Sequence, residues 1–108
     1  MLGLDVSFPE GVSLRQRHEL TAFARCCAGR IDREHQLCGR GWLTIELALV
    51  PMPQAGAATA RYDLGPIHVE ARGFANDLAL AIWEALGHLD QPLRASQARW
   101  TSALRASV

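Results

Sequence analysis

The spacing of apolar and polar positions changes period several times along this chain, and each change marks an element. Leu2, Leu4, Val6 and Phe8 alternate with Gly3, Asp5 and Ser7, the period of two expected of a strand that ends at Pro9. Ser13 followed by Gln16 is a capping-box pattern. Leu20, Phe23, Ala24, Cys27 and Ile31 then form one helical stripe, which predicts a helix over about residues 14–29 with Gly29 as its terminator. Arg15, His18 and Arg25 fall off that stripe and are expected in solvent. Over residues 41–50, Leu43, Ile45, Leu47 and Leu49 share one side and Trp42, Thr44, Glu46 and Ala48 the other, a second strand that Pro51 and Pro53 stop.

Residues 51–56 form a loop in this reading, and Ala58, Ala60 and Tyr62 predict a third strand, although alanine is a poor strand former. Asp63-Leu64-Gly65-Pro66 is a turn signal. Ile67, Val69 and Ala71 then alternate with His68, Glu70 and Arg72 in a fourth strand that leads through Gly73-Phe74-Ala75-Asn76 into a helix beginning near Asp77. In that helix Leu78, Ile82, Ala85, Leu89, Leu93 and Trp100 recur at helical spacing, which places Trp100 in the core. Pro92 lies inside the pattern and predicts a kink or break near residues 90–92, and the residues beyond Trp100 are expected to fray. Two striped helices and a four-stranded sheet with one apolar face predict an α+β two-layer sandwich, β-α-β-β-β-α, with both helices on one face.

The 108 residues suit a single domain spanning 1–108, and no apolar run approaches the roughly 20 residues a membrane span needs. Met1-Leu2-Gly3-Leu4-Asp5 has no basic region and reaches an acid at once, so the expectation is a cytoplasmic protein without a secretory signal. Formal charge balances at 11 basic and 11 acidic residues, and every basic residue is arginine. The distribution is uneven. Between Ser13 and Arg40, Arg15, Arg17, Arg25, Arg30, Arg33 and Arg40 face Glu19, Asp32 and Glu34, an excess of three positive charges; from Gln91 onward Arg94, Arg99 and Arg105 meet no acid. Arginine clusters bind phosphate by bidentate contacts; a genome rich in G and C would also favour arginine over lysine.

The element order and length resemble the ribosome hibernation-promoting factor and protein Y family of ribosome-associated proteins. The likeness rests on the opening strand into a Ser-capped helix, the long strand at Leu43 to Val50, and Ile67-His68-Val69-Glu70-Ala71 followed by Asp77-Leu78-Ala79-Leu80-Ala81-Ile82. It implies a non-enzymatic protein without a cofactor that docks on the small ribosomal subunit near the messenger and transfer RNA sites and blocks translation. In that family basic residues on both helices meet ribosomal RNA phosphates. Arg17 matches a family arginine position, Arg15 and Arg25 lie nearby, and Arg94 and Arg99 are the candidates in the last helix. The second helix departs from the pattern, with His88, Gln91 and Ala95 where the family has lysine or arginine.

Other chemistry is possible on this sequence. Leu80 and Trp83 fall on the wrong side of the last helix for its stripe, and Trp42 lies on the outer side of the second strand. These three are candidates for a protein interface or homodimer, an alternative in which the sandwich is an interaction module without RNA binding. Trp42, Trp83 and Trp100 are also base-stacking candidates. Cys26, Cys27, Cys38, His18 and His35 are potential zinc ligands, but adjacent cysteines on a helix point about 100° apart, so no metal is expected. For an enzyme, Cys38 can be paired with His35 or His68 as nucleophile and base, and no phosphate loop or nucleophile elbow accompanies the pair.

Overall fold

A computed structural model describes residues 2–50 and 55–106. The elements run β1 (Gly3–Ser7), α1 (Leu14–Glu34), β2 (Trp42–Val50), β3 (Ala55–Leu64), β4 (Ile67–Ala75) and α2 (Leu78–Ala106), which is the expected order. The sheet has the spatial order β1-β2-β3-β4, with β1 parallel to β2 and the other neighbours antiparallel. A parallel pair needs a crossover, and α1 supplies it. Side chains from the inner sides of all four strands pack in one cluster with both helices, so α1 and α2 cover the same face. Among the described residues, no helix is long and apolar enough to cross a membrane.

The inner face of the sheet is uneven, and that unevenness seats α2. At one end the paired residues are small: Gly56 opposite Ala75, Ala58 opposite Gly73 and Ala60 opposite Ala71. At the other end Tyr62 faces Val69 and Leu64 faces Ile67. The alanines that make β3 a poor strand by propensity are therefore the floor of a trough. Over Gly73 the helix backbone comes so close that a Cβ would collide with the Ala85 amide nitrogen and the Ala81 carbonyl oxygen. Further along, the helix rides over larger side chains, with Ile82, Leu86, Leu89 and Leu93 essentially inaccessible to solvent.

The termini of α1 follow from its sequence. The Ser13 hydroxyl accepts from the Gln16 amide, and the Gln16 side chain accepts from the Ser13 amide, satisfying two otherwise orphaned donors. Gly29 does not end the helix as expected. Ile31, 3% exposed, still packs into the core beyond it, and the chain leaves the helix only at His35, after which Gln36 and Cys38 take left-handed backbone angles.

Five other expectations change. Strand β4 does not stop at Arg72 but continues through Gly73 to Ala75, because the glycine is where the helix lands. Helix α2 is unbroken at Pro92: Leu89 and Leu93, 0% exposed, anchor the turns on both sides of it. The helix also continues past Trp100 to Ala106. Trp100 itself is 43% exposed rather than in the core, since a 29-residue helix of roughly 43 Å outruns the sheet beneath it. Leu49, expected with its strand's apolar side, is 57% exposed. The proline stop after β2 lies outside the described residues.

The trough yields a paired prediction. Gly73→Val should lower stability by about 3 kcal/mol or more, because the obstruction is backbone on a packed helix. Gly87→Ala, on the open side of the same helix with nothing within 4 Å of its would-be Cβ, should raise stability by about 0.5–1 kcal/mol. Urea unfolding midpoints of the two variants measure both, and equal midpoints would refute the trough.

Candidate functional site

Helix α1 presents its polar side along its whole length, with Arg15, Arg17, His18, Arg25 and Arg33 exposed. The expected solvent position of Arg15, His18 and Arg25 is correct. Several arginines have intramolecular partners. Arg15 Nε lies 3.2 Å from Glu19 Oε1, Arg94 Nε 3.1 Å from Asp90 Oδ2, Arg61 Nη2 2.7 Å from Glu46 Oε1, and Arg30 and Arg72 sit 3.7 and 3.8 Å from Glu34 and Glu70. Such exposed pairs add little stability, but they neutralise their arginines locally.

Arg17, Arg25, Arg33, Arg40 and Arg99 have no carboxylate within ion-pair distance among the described residues. Arg17 Nε donates to the Val12 carbonyl at 3.2 Å and its guanidinium lies 5.6 Å from the Phe8 ring centre, so it also pins the turn between β1 and α1. Arg25 borders a cleft of about 370 Å³ between β1 and α1, lined by Leu2, Leu4, Ala28, Gly29 and Asp32. The two arginines singled out on α2 are not neighbours. Arg94 points toward α1 through Asp90, whereas Arg99 donates to Ser96 Oγ at 3.3 Å beside Pro66 and Ile67, at the turn between β3 and β4.

His88, one of the departures from the basic pattern of the last helix, acts with Glu84 in a different task. Strand β4 is an edge of the sheet, and its outward backbone groups at residues 72 and 74 lack a strand partner. Glu84 Oε2 accepts from the Phe74 amide at 3.2 Å, and His88 Nδ1 lies 2.7 Å from the Arg72 carbonyl oxygen, where it must donate. One helix turn thus caps the edge of a strand that would otherwise offer itself for pairing.

Of the three apolar surface candidates, Leu80 is 49% exposed, Trp83 47% and Trp42 53%. They do not form one patch: Trp42 lies over Gly3 on the outer side of the sheet, while Trp83 is on a helix of the other layer, its ring under the Arg30 guanidinium at 4.1 Å from its centre. An apolar cleft not foreseen from the sequence, about 400 Å³, lies between the start of α1, the end of β2 and the start of α2, lined by Leu20, Phe23, Leu49 and Leu78. The strand pattern put Leu49 on the inner side correctly but could not say that no helix covers it.

The titratable groups form structural contacts. His35, its side chain 3% exposed, places Nε2 2.9 Å from Asp90 Oδ1, and its carbonyl accepts from Gln97 Nε2 at 3.1 Å, so the end of α1 is stapled to the middle of α2. Glu34, His35 and Asp90 are close enough to suggest a cation site, all three ligand atoms lying within 4.8 Å of one another. Arg30 and Arg94 already face the two carboxylates, which makes the group an inter-helix ion cluster. The zinc-type combination does not assemble: Cys27 is buried in the core, Cys26 and Cys38 are exposed, and His18 is on the solvent side of α1. For the nucleophile and base pairing, His35 is bonded to Asp90, His68 Nδ1 is 2.6 Å from Asp63 Oδ1, and Cys38 Sγ faces the Gln36 carbonyl at 3.7 Å.

Among solved structures, the chain is similar to the Thermus thermophilus Protein Y N-terminal domain, with a TM-score of 0.61 and 20% identity over 87% of this chain and 98% of that one. It is also similar to a ribosomal subunit interface protein from Coxiella burnetii, with a TM-score of 0.58 and 11% identity over 90% and 97% of the two chains. The chain has their fold. No family model and no curated protein matches it. The architecture is therefore shared almost end to end, while at these identities the surface residues are this chain's own.

Two buried protons make stability sensitive to alkali. Burial pushes the Cys27 thiol up from its ordinary value, against a smaller pull from Arg30, and burial pushes the Tyr62 phenol up, against Arg40. Both groups are neutral when protonated, so the folded chain holds these protons to higher pH than the unfolded chain. Their contribution is complete well below pH 9.0, the ordinary value at which the unfolded thiol is half-ionised, and is lost as pH rises through the raised folded values. Urea midpoints should therefore fall as pH rises above about 9, and Cys27→Ala and Tyr62→Phe should each flatten the fall. An unchanged slope in both variants would assign the loss to other groups.

Proposed function

We propose that this chain is a non-enzymatic, cytoplasmic, ribosome-associated factor that binds small-subunit ribosomal RNA through helix-borne arginines and inhibits translation by occupying its binding site. The observation that carries the reading is the near full-length likeness to two structures, one of them a ribosomal subunit interface protein. The charge arrangement supports it. Arg15, Arg17, Arg25, Arg94 and Arg99 are the candidate phosphate contacts. Arg17, Arg25 and Arg99 have no carboxylate to outcompete among the described residues, whereas Arg15 and Arg94 would have to exchange Glu19 and Asp90 for phosphate. The contact would be electrostatic, with no reaction to catalyse and no cofactor required.

A second reading keeps the fold and gives it a protein partner or a second copy, with Leu80, Trp83 and Trp42 as the contact residues. Their exposure favours it, and salt separates the two: phosphate contacts weaken steeply as counterions return, while an apolar interface does not.

Co-sedimentation with purified small ribosomal subunits at about 50 and 200 mM salt tests both. Wild-type protein should bind at the lower salt and largely dissociate at the higher. Arg17→Ala/Arg25→Ala/Arg99→Ala should bind weakly, with a log-log salt slope reduced by roughly 2 if all three arginines contact phosphate. Arg15→Ala should have a smaller effect. Protein that stays at the top of the gradient at both salts would remove the ribosomal reading and leave the protein-partner one.

A further inference from the structure

Trp100 lies on the apolar stripe of α2 and yet remains 43% exposed, beyond the part of the sheet that could bury it. It is a shared wall of two adjoining clefts. One, of about 210 Å³, is lined with Pro66, Ile67, Ser96 and Arg99. The other, of about 180 Å³, has Leu37, Arg40, Tyr62, Leu93 and Gln97 among its walls. Neither has room for a folded segment, and each is commensurate with a planar heterocycle.

The charged residues that line the two clefts are both arginines, and the nearby Asp32 is taken up by the Gly39 amide at 3.0 Å. Arg40 and Arg99 border the two clefts, and neither has a carboxylate at ion-pair distance among the described residues. Each guanidinium is held by a single neutral acceptor: Arg40 Nε donates to the Leu37 carbonyl at 3.1 Å, and Arg99 Nη2 to Ser96 Oγ at 3.3 Å. That fixes the fork and leaves further N–H groups for an anion. An aromatic face flanked by two cations, with no carboxylate among the described residues that line either cleft, matches a base joined to phosphates on either side.

We infer that Trp100 is a stacking platform for one base of a single-stranded RNA segment, with Arg40 and Arg99 meeting the phosphates that flank it. This rests on the RNA-binding reading above for its ligand class, and it adds a contact at the end of the sheet, away from the α1 arginines. The base would cover the exposed face of the indole, which a bare phosphate could not use and a duplex could not present.

The chain has three tryptophans, so Trp42→Phe/Trp83→Phe leaves Trp100 as the sole indole reporter in an otherwise full-length protein. Titration at low salt with a six-nucleotide single-stranded RNA should quench its fluorescence saturably, and an abasic oligomer of the same length should not. In the natural background, Trp100→Leu should weaken binding of the labelled hexamer about 5- to 150-fold, the range of one lost base stack. Arg99→Ala, a surface change that leaves the core intact, should weaken it several-fold and lower the salt slope by about 0.7.

Equal quenching by the abasic oligomer would overturn stacking in favour of charge alone. Quenching by an acidic peptide but not by RNA would overturn the ligand class. No quenching by the hexamer, with wild-type protein still sedimenting with small subunits, would overturn this site and leave the ribosomal reading standing; failure of that sedimentation is the separate result that removes the reading itself.

Discussion

The approach of α2 onto the small-residue floor of β3 and β4 sets most of what else the molecule can do. A helix normally rests on a layer of side chains, but over Gly73 this one rests nearly on backbone, with Ala81 and Ala85 as its own small residues at the contact. That closeness brings Glu84 and His88 within hydrogen-bond reach of the β4 edge, where they satisfy the Phe74 amide and the Arg72 carbonyl. It also fixes the height at which Asp90 meets His35 from α1 and Gln97 meets the His35 carbonyl. A bulkier floor would lift the helix and break these contacts together, so the trough, the edge cap and the inter-helix staple form one mechanical unit.

How much of this can be read in the chain depends on whether a signal is local or tertiary. The alternation of Leu43, Ile45 and Leu47, and of Ile67, Val69 and Ala71, defines the strands because every second residue meets the same buried layer. The 3.6-residue stripe of α2 defines the helix for the same reason. Glycine and proline mislead where the surroundings outweigh their local cost. Gly29 and Pro92 would end or bend isolated helices, yet Ile31 after the first and Leu89 and Leu93 around the second are buried deeply enough to hold them in place. Gly73 looks like the end of a strand and is instead the point of closest packing. Helical spacing located the azimuth of Trp100 correctly; only the length of the sheet beneath it decides whether that azimuth meets protein or solvent.

The surface was less legible, for a related reason. Sequence neighbours show which charges are near one another along a helix, and Glu19 four residues after Arg15 is such a case. They do not show that His88 serves a strand edge 16 residues earlier, or that Asp90 is shared between Arg94 and a histidine from the other helix. Arg94 and Arg99 look like companions in the chain, but their partners place them on opposite flanks of α2. The apolar cleft at Leu49 is invisible for a further reason: an alternating strand pattern identifies the side a residue points to and contains no information on the cover above it.

Net neutrality is compatible with an anion-facing surface once the carboxylates are traced. Glu19, Glu34, Glu46, Glu70 and Asp90 each face an arginine, Asp63 faces His68, and Asp32, Asp77 and Glu84 accept from backbone amides of Gly39, Leu80 and Phe74. The acids are thus largely committed to pairs and caps. Arg17, Arg25, Arg33, Arg40 and Arg99 stand without a carboxylate at ion-pair distance among the described residues, and potential falls off within about one Debye length, near 8 Å at physiological salt, so a ligand responds to these local groups and not to the sum over the chain. A lysine-free surface with half of its described arginines neutralised in place can therefore bind phosphate at few, fixed points, which favours geometric selection over general attraction to nucleic acid.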